Sequence, residues 1–134
     1  MMFSTKGRYA LRVMIDLAEH NTGEYITLKE IAKRQEISVK YLESILTALT
    51  KAGFLDGQRG KGGGYKLSRE AKTYTAGSVL KLLEGSFAPV ACLECSPNKC
   101  KRAKKCRTLP MWKEFYKMTG NFFENITIAS LCGK

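Results

Sequence analysis

The chain contains few of the features on which membrane proteins and enzymes depend. No apolar run approaches the roughly 18 residues of a membrane span, and Lys6, Arg8 and Arg12 interrupt the N-terminal stretch that a signal peptide would occupy. We therefore expect a cytosolic protein. His20 is the only histidine, and no grouping of histidine with carboxylates suits general acid–base catalysis, which argues against an enzyme.

Acidic residues are also scarce. Lys plus Arg number 23 and Asp plus Glu number 12, so the formal net charge is +11. The positive electrostatic field of such a chain attracts polyanions, and nucleic acid is the first partner to expect. With 134 residues, 44% of them hydrophobic, the chain is long enough for one domain, or one module with a short appendage, and for a buried core.

The first half has the pattern of three amphipathic helices. The first is predicted over Gly7 to His20, and its expected core residues are Leu11, Met14, Ile15 and Ala18. Thr27 and Glu30 form a capping-box pattern for a short second helix that ends near Arg34. Ser38 is expected to cap a third helix that ends at Gly53 and buries Leu42, Ile45, Leu46 and Leu49.

A hairpin is predicted next, from the runs Phe54–Leu55 and Tyr65–Leu67 and a glycine-rich basic tip between them. Helix, helix, helix, hairpin is the order of a winged helix-turn-helix. The predicted fold class is therefore mainly α with a small β-hairpin wing. The winged helix-turn-helix is expected to occupy residues 1–74.

Residues 75–134 are expected to carry a cysteine-rich loop and dimerisation helices. A fourth helix is predicted over Thr75 to Leu83, followed by an irregular segment at about residues 88–108, here called the cysteine loop. Thr108 is expected to cap a long helix, and Thr127 a short last one. The apolar face of the long helix is interpreted as a dimer seam, formed by Leu109, Trp112, Tyr116, Phe122, Phe123 and Ile126.

The third helix is the candidate recognition helix. In a helix-turn-helix this element offers its N-terminal residues to base edges in the major groove. The candidate DNA-contacting residues are Ser38, Lys40, Tyr41, Glu43 and Ser44 in that helix, with Arg59 and Lys61 in the wing. The plainer interpretation is a solvated polar helix face. A phosphate-binding nucleotide loop is disfavoured, since Gly57–Lys61 has the wrong spacing and no Ser or Thr follows the lysine.

The cysteine loop has the composition of a metal or cluster site. Cys92, Cys95, Cys100 and Cys106 supply enough thiolates for one zinc ion or for an iron-sulfur cluster, and their spacing does not choose between the two. Positive charge among them would lower thiol pKa values and compensate an anionic centre. The plainer interpretation is that these basic residues solvate the loop or touch DNA phosphates. They are Lys99, Lys101, Arg102, Lys104, Lys105 and Arg107.

Four separated segments carry a family resemblance. They are STKGRYALRVMIDLA, ISVKYLE, RGKGGGYKL and NFFENITIASL. In this order they resemble the IscR, NsrR and CymR family of bacterial transcriptional regulators, the Rrf-two family, over essentially the full chain. The resemblance implies a homodimeric winged-helix repressor or activator, joined through its long C-terminal helix, that binds pseudo-palindromic operators. It places the family's recognition positions on Lys40, Tyr41, Glu43 and Ser44, and its wing arginine on Arg59.

Many family members hold an iron-sulfur cluster on the loop before that helix, and the resemblance makes such a cluster the main expectation. The loop cysteines that match the family pattern are Cys92, Cys100 and Cys106. Leu109 stands where IscR-type members have a histidine, and Arg8 lies in the helix from which others supply a carboxylate, so neither can ligate iron. Cys95 is the local candidate for the fourth ligand, unless the partner subunit or a small exogenous ligand supplies it.

The prediction is thus a dimeric DNA-binding regulator that senses iron, redox state or nitric oxide through a [2Fe-2S] or [4Fe-4S] cluster. One alternative is a structural zinc in the same loop. Another is a regulator without a cluster, which senses a metabolite or a protein partner. A redox enzyme that uses Cys92 and Cys95 as a dithiol is disfavoured because the motif lacks a strand–helix context.

Overall fold

The computed structural model describes residues 3–95 and 97–133. These residues form α1 (Thr5–Glu19), α2 (Leu28–Gln35), α3 (Val39–Lys51), β1 (Leu55–Gln58), β2 (Gly64–Leu67), α4 (Ala76–Glu84), α5 (Leu109–Glu124) and α6 (Ile128–Leu131). The predicted order of three helices, a hairpin and further helices is confirmed. Among the described helices, none has both the length and the apolar character needed to cross a lipid bilayer.

The core lies where α1 and α3 pack against their neighbours. All four residues predicted for the buried stripe of α3 are indeed buried. In α1 the predicted stripe is only partly right, because Met14 is buried whereas Leu11, Ile15 and Ala18 are half-buried. The buried apolar residues of α1 are Ala10, Val13, Met14 and Leu17. Since α1 packs against α2, α3, α4 and α6, these neighbours set the centre of its stripe, which periodicity alone does not fix.

The helix-turn-helix is closed by local capping. The Thr27 hydroxyl accepts a hydrogen bond from Glu30 N at 3.2 Å, and the Ser38 hydroxyl accepts one from Tyr41 N at 3.2 Å. Between the helices, Glu36 adopts a left-handed conformation with φ of 54°. Both predicted N-caps are confirmed, but the predicted capping box is only half formed, because the described hydrogen bonds include none from Thr27 N to the Glu30 side chain. The turn reverses the chain at a residue that is not glycine.

The hairpin is antiparallel, with Leu55 paired to Leu67 and Gln58 paired to Gly64. Its first strand runs further into the glycine-rich segment than predicted. Tyr65 and Ile26 exchange two backbone hydrogen bonds of 2.8 and 2.9 Å, so the hairpin is attached to the segment before α2. Gly64 permits this approach, because its φ is 148° and a Cβ there would overlap the Ile26 carbonyl.

The C-terminal helices return to the first half of the chain. The Thr75 and Ser78 side chains form a reciprocal capping box at the start of α4, and Thr127 caps α6, as predicted. Ile128 is buried, and its backbone N–H donates to Tyr74 O at 2.9 Å. At α5 the predicted cap is wrong. Thr108 makes no side-chain capping bond because its backbone is helical and its hydroxyl lies near the Cys106 thiol instead.

The apolar surface of α5 differs from the predicted seam. Leu109 is buried, and Trp112, Tyr116, Phe123 and Ile126 are half-buried within the chain, because α5 packs this side towards α4. Of the predicted seam residues, Phe122 alone is exposed. The exposed apolar residues form a stripe at helical spacing on α5, here called the α5 stripe. They are Met111, Phe115, Met118 and Phe122, with exposures of 53, 43, 62 and 62%.

Candidate nucleic-acid interface and cysteine loop

The polar face of α3 is presented to solvent. Lys40, Glu43 and Ser44 are exposed, and the Ser44 hydroxyl donates to Tyr41 O at 2.7 Å. Ser38 is also exposed, and its hydroxyl already accepts the Tyr41 N–H. This first turn of α3 therefore offers an ammonium, a carboxylate and hydroxyl groups, which are the groups that read base edges or bind phosphates.

Tyr41 differs from the other candidates because its ring is half-buried. It packs edge-on against Tyr9 of α1, with ring centroids 5.8 Å apart and an interplanar angle of 68°. Sequence reasoning treated Tyr41 as a freely exposed side chain. The ring instead joins the first turn of α3 to α1.

A groove separates the C-terminal half of α3 from the wing. It is lined by Thr47, Thr50, Lys51, Gly57, Gln58, Arg59 and Tyr65. Arg59 and Lys51 give this groove two cationic side chains, so it is chemically suited to an anionic strand. Lys61 is exposed beyond it, between the positive-φ residues Gly60 and Gly62. The sequence did not predict that Thr50 and Gln58 line one groove, since only the hairpin register brings them together.

A buried ionic cluster joins α1 to the last turn of α2. The Asp16 carboxylate, 1% exposed, accepts hydrogen bonds from Arg34 Nε at 3.0 Å, Arg34 Nη2 at 2.8 Å and Gln35 Nε2 at 2.9 Å. Burial alone would raise the pKa of Asp16, but the bonds from Arg34 and Gln35 and the charge of Arg34 outweigh it and lower that pKa. Sequence reasoning missed this cluster, although an acid inside an apolar stripe was a usable signal.

The structure does not gather the four loop cysteines into one site. Cys92 lies half-buried in a 3-10 turn, Ala91–Leu93, and Cys106 lies half-buried three residues before the first residue of α5. Cys95 and Cys100 are exposed. Within residues 3–95 and 97–133, no group of three or more His, Cys, Asp or Glu side chains is placed to hold a metal ion.

Cys106 has a distinct local environment. Its thiol lies 3.4 Å from the Thr108 hydroxyl, at the start of α5. Hydrogen bonding to the Thr108 hydroxyl, and then to the backbone amides of Thr108 and Leu109, lowers the pKa of Cys106, and Arg102 adds a smaller effect of the same sign. This environment favours the thiolate, which is the form that ligates metals.

The donor set fits a thiolate-bound metal centre in its chemistry. Four thiols lie among six basic residues, and for these basic residues the described chain shows no carboxylate within 4.0 Å. Asn98 Nδ2 is buried without a hydrogen-bond partner among the described groups, while Asn98 Oδ1 accepts from Cys100 N at 2.8 Å. A buried N–H donor within the cysteine loop suits the sulfur acceptors of such a centre.

The remaining cysteine and the histidine lie outside the loop. Cys132 is half-buried, and its thiol lies 3.3 Å from Ile128 O. Burial, followed by the charge of Glu19, raises the pKa of Cys132. His20 follows the last residue of α1, and its Nδ1 lies 2.9 Å from Asp16 O, at the C-terminal end of that helix.

Known proteins similar to this chain are transcriptional regulators. The family model described as "Rrf2: Iron-dependent Transcriptional regulator" matches residues 3–134. The protein rrf2 of Nitratidesulfovibrio vulgaris is 38% identical over 98% of this chain and 87% of its own length. The HTH-type transcriptional regulator IscR of Vibrio vulnificus is 34% identical over 98% and 77%. The structure of CymR, the global cysteine regulator of B. subtilis, is 32% identical, with a TM-score of 0.78 over 98% of this chain and 95% of its own. The chain is therefore a winged-helix transcriptional regulator that belongs to the Rrf2 family.

Proposed function

We propose that the protein is a homodimeric regulator that binds pseudo-palindromic operators. The exposed first turn of α3 enters the major groove, and the wing contacts the adjacent backbone or minor groove through Arg59 and Lys61. The observation that carries this proposal is the exposed polar face of α3, with Lys40, Glu43 and Ser44, beside a groove edged by Lys51 and Arg59.

The α5 stripe is the proposed dimer seam. Four large apolar side chains lie exposed on one face of a single helix, and the groove beside them, formed with Phe3, Thr119 and Phe123, is predominantly apolar. A second copy of this chain offers the same stripe, so a two-fold interface is self-complementary. Such a dimer presents two α3 helices, whose half-sites on DNA lie about 34 Å apart.

The cysteine loop is the proposed sensor. Cys92, Cys100 and Cys106 would hold an iron-sulfur cluster, with Cys95 or a group from the partner subunit as fourth ligand. When bound, the cluster would supply chemistry that responds to iron, oxidants or nitric oxide. The "Iron-dependent" description of the family and the IscR relatives support this proposal. Because the loop connects α4 to α5, a change in it alters how the winged helix is held against the dimer seam.

A regulator without a cluster is the second candidate. It is favoured by two observations, the spread of the loop thiols in the described residues and the likeness to CymR, the global cysteine regulator of B. subtilis. A structural zinc in the same loop is the remaining alternative, since four thiolates suit tetrahedral zinc.

DNA binding is tested by selecting operators from a randomised duplex pool with the wild-type protein. We expect Glu43→Ala to relax base preference at one position of each half-site, and Arg59→Ala to lower operator affinity by about tenfold. Lys113→Ala, on exposed α5, is the matched control. Failure of the wild-type protein to enrich any sequence over random duplex would overturn the proposal.

The dimer is tested by analytical ultracentrifugation. Met118→Glu places a charge in the α5 stripe and should yield a monomer, whereas Lys113→Glu on the opposite side of α5 should leave the dimer intact. Retention of the wild-type mass by Met118→Glu would exclude the stripe as the seam.

The sensor is tested by an anaerobic absorption spectrum with iron, sulfide and zinc quantified on the same sample. Iron, acid-labile sulfide and visible charge-transfer bands support the cluster. Ala replacements of Cys92, Cys100 and Cys106 should each abolish the bands, and Cys132→Ala should retain them. One zinc per chain favours the structural alternative. A protein that stays colourless and metal-free after anaerobic reconstitution favours the regulator without a cluster.

A further inference from the structure

Helix α1 is attached at its N-terminal end to the element that precedes the cysteine loop. Ser4 N and Ser4 Oγ donate to Glu84 Oε1 at 2.8 and 2.6 Å, and Glu84 is the last residue of α4. Gly7 faces the same carboxylate so closely that a Cβ there would overlap it. The start of α1 therefore has a fixed position relative to α4.

Aromatic packing extends this attachment to α5. The Phe3 ring lies edge-on to Phe87, at 5.7 Å and 81°, and to Phe123 of α5, at 5.3 Å and 82°. Phe87 is buried and immediately precedes the cysteine loop. The N-terminal end of α1 is thus held by both helices that flank the loop, independently of α2 and α3.

The middle of α1 holds the turn of the helix-turn-helix. Arg12 Nε donates to Gln35 Oε1 at 3.2 Å, and Arg12 Nη2 donates to the Gln35 carbonyl. Gln35 is the last residue of α2 and directly precedes Glu36, the left-handed residue of the turn. Gln35 Nε2 also donates to Asp16 Oδ2. One face of α1 therefore fixes the residue at which the chain turns towards α3.

The same face reaches the first turn of α3. The Arg12 guanidinium lies 4.8 Å from the centroid of the Tyr9 ring, and the Tyr9 ring packs on Tyr41. Arg12 thus holds Tyr9 on one side and Gln35 on the other. Tyr41 lies between Lys40 and Glu43, two of the candidate DNA-contacting residues, so a shift of its ring moves the turn that presents them.

We propose that α1 sets the orientation of the recognition helix, with Tyr9 and Arg12 as positioning residues that act through Tyr41 and Gln35. The inference rests on the proposed operator binding. Arg12 and Tyr9 increase specific affinity without touching a base, since they hold the polar face of α3 at the angle that base readout requires. Residues at the start of α1 contact Glu84 of α4 and Phe123 of α5. The orientation of α3 is therefore set relative to the two helices that flank the cysteine loop.

The first test compares Tyr9→Leu with Tyr9→Phe. Binding is measured by fluorescence anisotropy to the selected operator and to random duplex, with a thermal unfolding midpoint for each variant. We expect Tyr9→Leu to lose about tenfold in operator affinity while its affinity for random duplex stays within about twofold. A tenfold loss lies in the usual range for coupling between two sites of one protein, here Tyr9 and the DNA-binding face of α3. Tyr9→Phe keeps the ring and should behave as wild type. An equal loss in Tyr9→Phe would mean that the hydroxyl contacts DNA, which overturns a positioning role.

A double-mutant cycle tests whether Tyr9 acts through Tyr41. In the Tyr41→Leu background, Tyr9→Leu should cause no further loss, whereas additive losses would contradict the inference.

Arg12→Leu and Arg12→Lys provide a second pair on the same face, in which Lys keeps the charge but loses the bidentate contact to Gln35. We expect both to reduce operator affinity, Leu more than Lys, and wild-type affinity in both would overturn the role of Arg12. A wild-type protein that selects no operator overturns both the function and the inference, whereas unaffected Tyr9 and Arg12 variants overturn the inference alone.

Discussion

The winged-helix body, here residues 3–74, and the cysteine loop are held together in opposite ways. In the body, distant segments meet: Arg34 bonds Asp16, Tyr65 bonds Ile26, and Tyr74 Oη donates to Phe54 O at 2.7 Å. In the described part of the cysteine loop, every hydrogen bond joins residues at most four positions apart. Phe87, which directly precedes the loop, is buried, and the basic side chains of the loop are exposed.

This difference separates the surface that reads DNA from the segment proposed to sense a signal. A surface that must match the spacing of a duplex gains from a frame that is already rigid. A sensing segment must be able to change, so few long-range contacts suit it, since local structure of this kind opens at low free-energy cost. We therefore expect the two regions to respond differently to substitution.

The largest effect is expected at the buried ionic cluster. Arg34→Met leaves the Asp16 carboxylate buried without its cation, and we expect the free energy of unfolding to fall by about 3 kcal/mol. The matched change in the loop, Lys104→Gln with Lys105→Gln, should alter it by less than about 0.5 kcal/mol, because both side chains are exposed. Urea unfolding followed by circular dichroism measures both. Equal effects would abolish the distinction between the two regions.

Acid should weaken the body through the same carboxylate. The pKa of Asp16 is lowered in the folded state, so its stabilising contribution is present above the unfolded value, about 3.9, and is lost as pH falls through the lower folded value. Wild-type stability measured from about pH 5 down to about pH 2 should therefore fall. Arg34→Met should show a weaker acid dependence, since it lacks the bonds that lower the pKa. Parallel pH profiles would contradict this assignment.

A smaller effect is expected where the wing joins the body. Gly64→Ala places a Cβ against the Ile26 carbonyl at a φ of 148°, and we expect it to cost about 2 kcal/mol. Gly62→Ala, at the wing tip, has a φ of 79° but open space around the new atom, so it should cost about 1 kcal/mol. Thermal unfolding of both variants measures the difference. A tip substitution that destabilises as much as Gly64→Ala would show that backbone strain alone accounts for both.

The sequence predicted local contacts well and distant contacts poorly. The caps at Thr27, Ser38 and Thr127 were predicted because each bond lies within one helical turn. The stripe of α3 was predicted because one side of that helix is apolar and the other polar. Site residues chosen for exposure, such as Glu43 and Arg59, are exposed, and their contacts with DNA remain predictions.

The failures arise where distant partners decide the outcome. Arg34 and Asp16 are 18 positions apart, so no local pattern pairs them. Helix α5 is apolar on two sides, and only packing against α4 determines which side is covered within the chain, so periodicity did not show that five of the six predicted seam residues are buried or half-buried there. The dimer seam itself stays a prediction. The ring contact of Tyr41 with Tyr9 was missed for the same reason.

The smallest effect concerns the one loop thiol with a described contact to a flanking residue. In reduced, metal-free protein, Thr108→Val removes the hydroxyl beside Cys106, so the pKa of that thiol should rise towards its ordinary value. Alkylation of Cys106 by iodoacetamide at pH 7 should then slow by roughly threefold, because the thiolate is the reactive form. Peptide mass spectrometry measures this rate, with Cys132 in the same sample as internal reference. If Thr108→Val leaves the Cys106 rate unchanged while Cys132 also reacts normally, the hydroxyl does not tune the thiol. The cysteine loop would then lack even this local contact with the start of α5, which would widen the contrast with the winged-helix body.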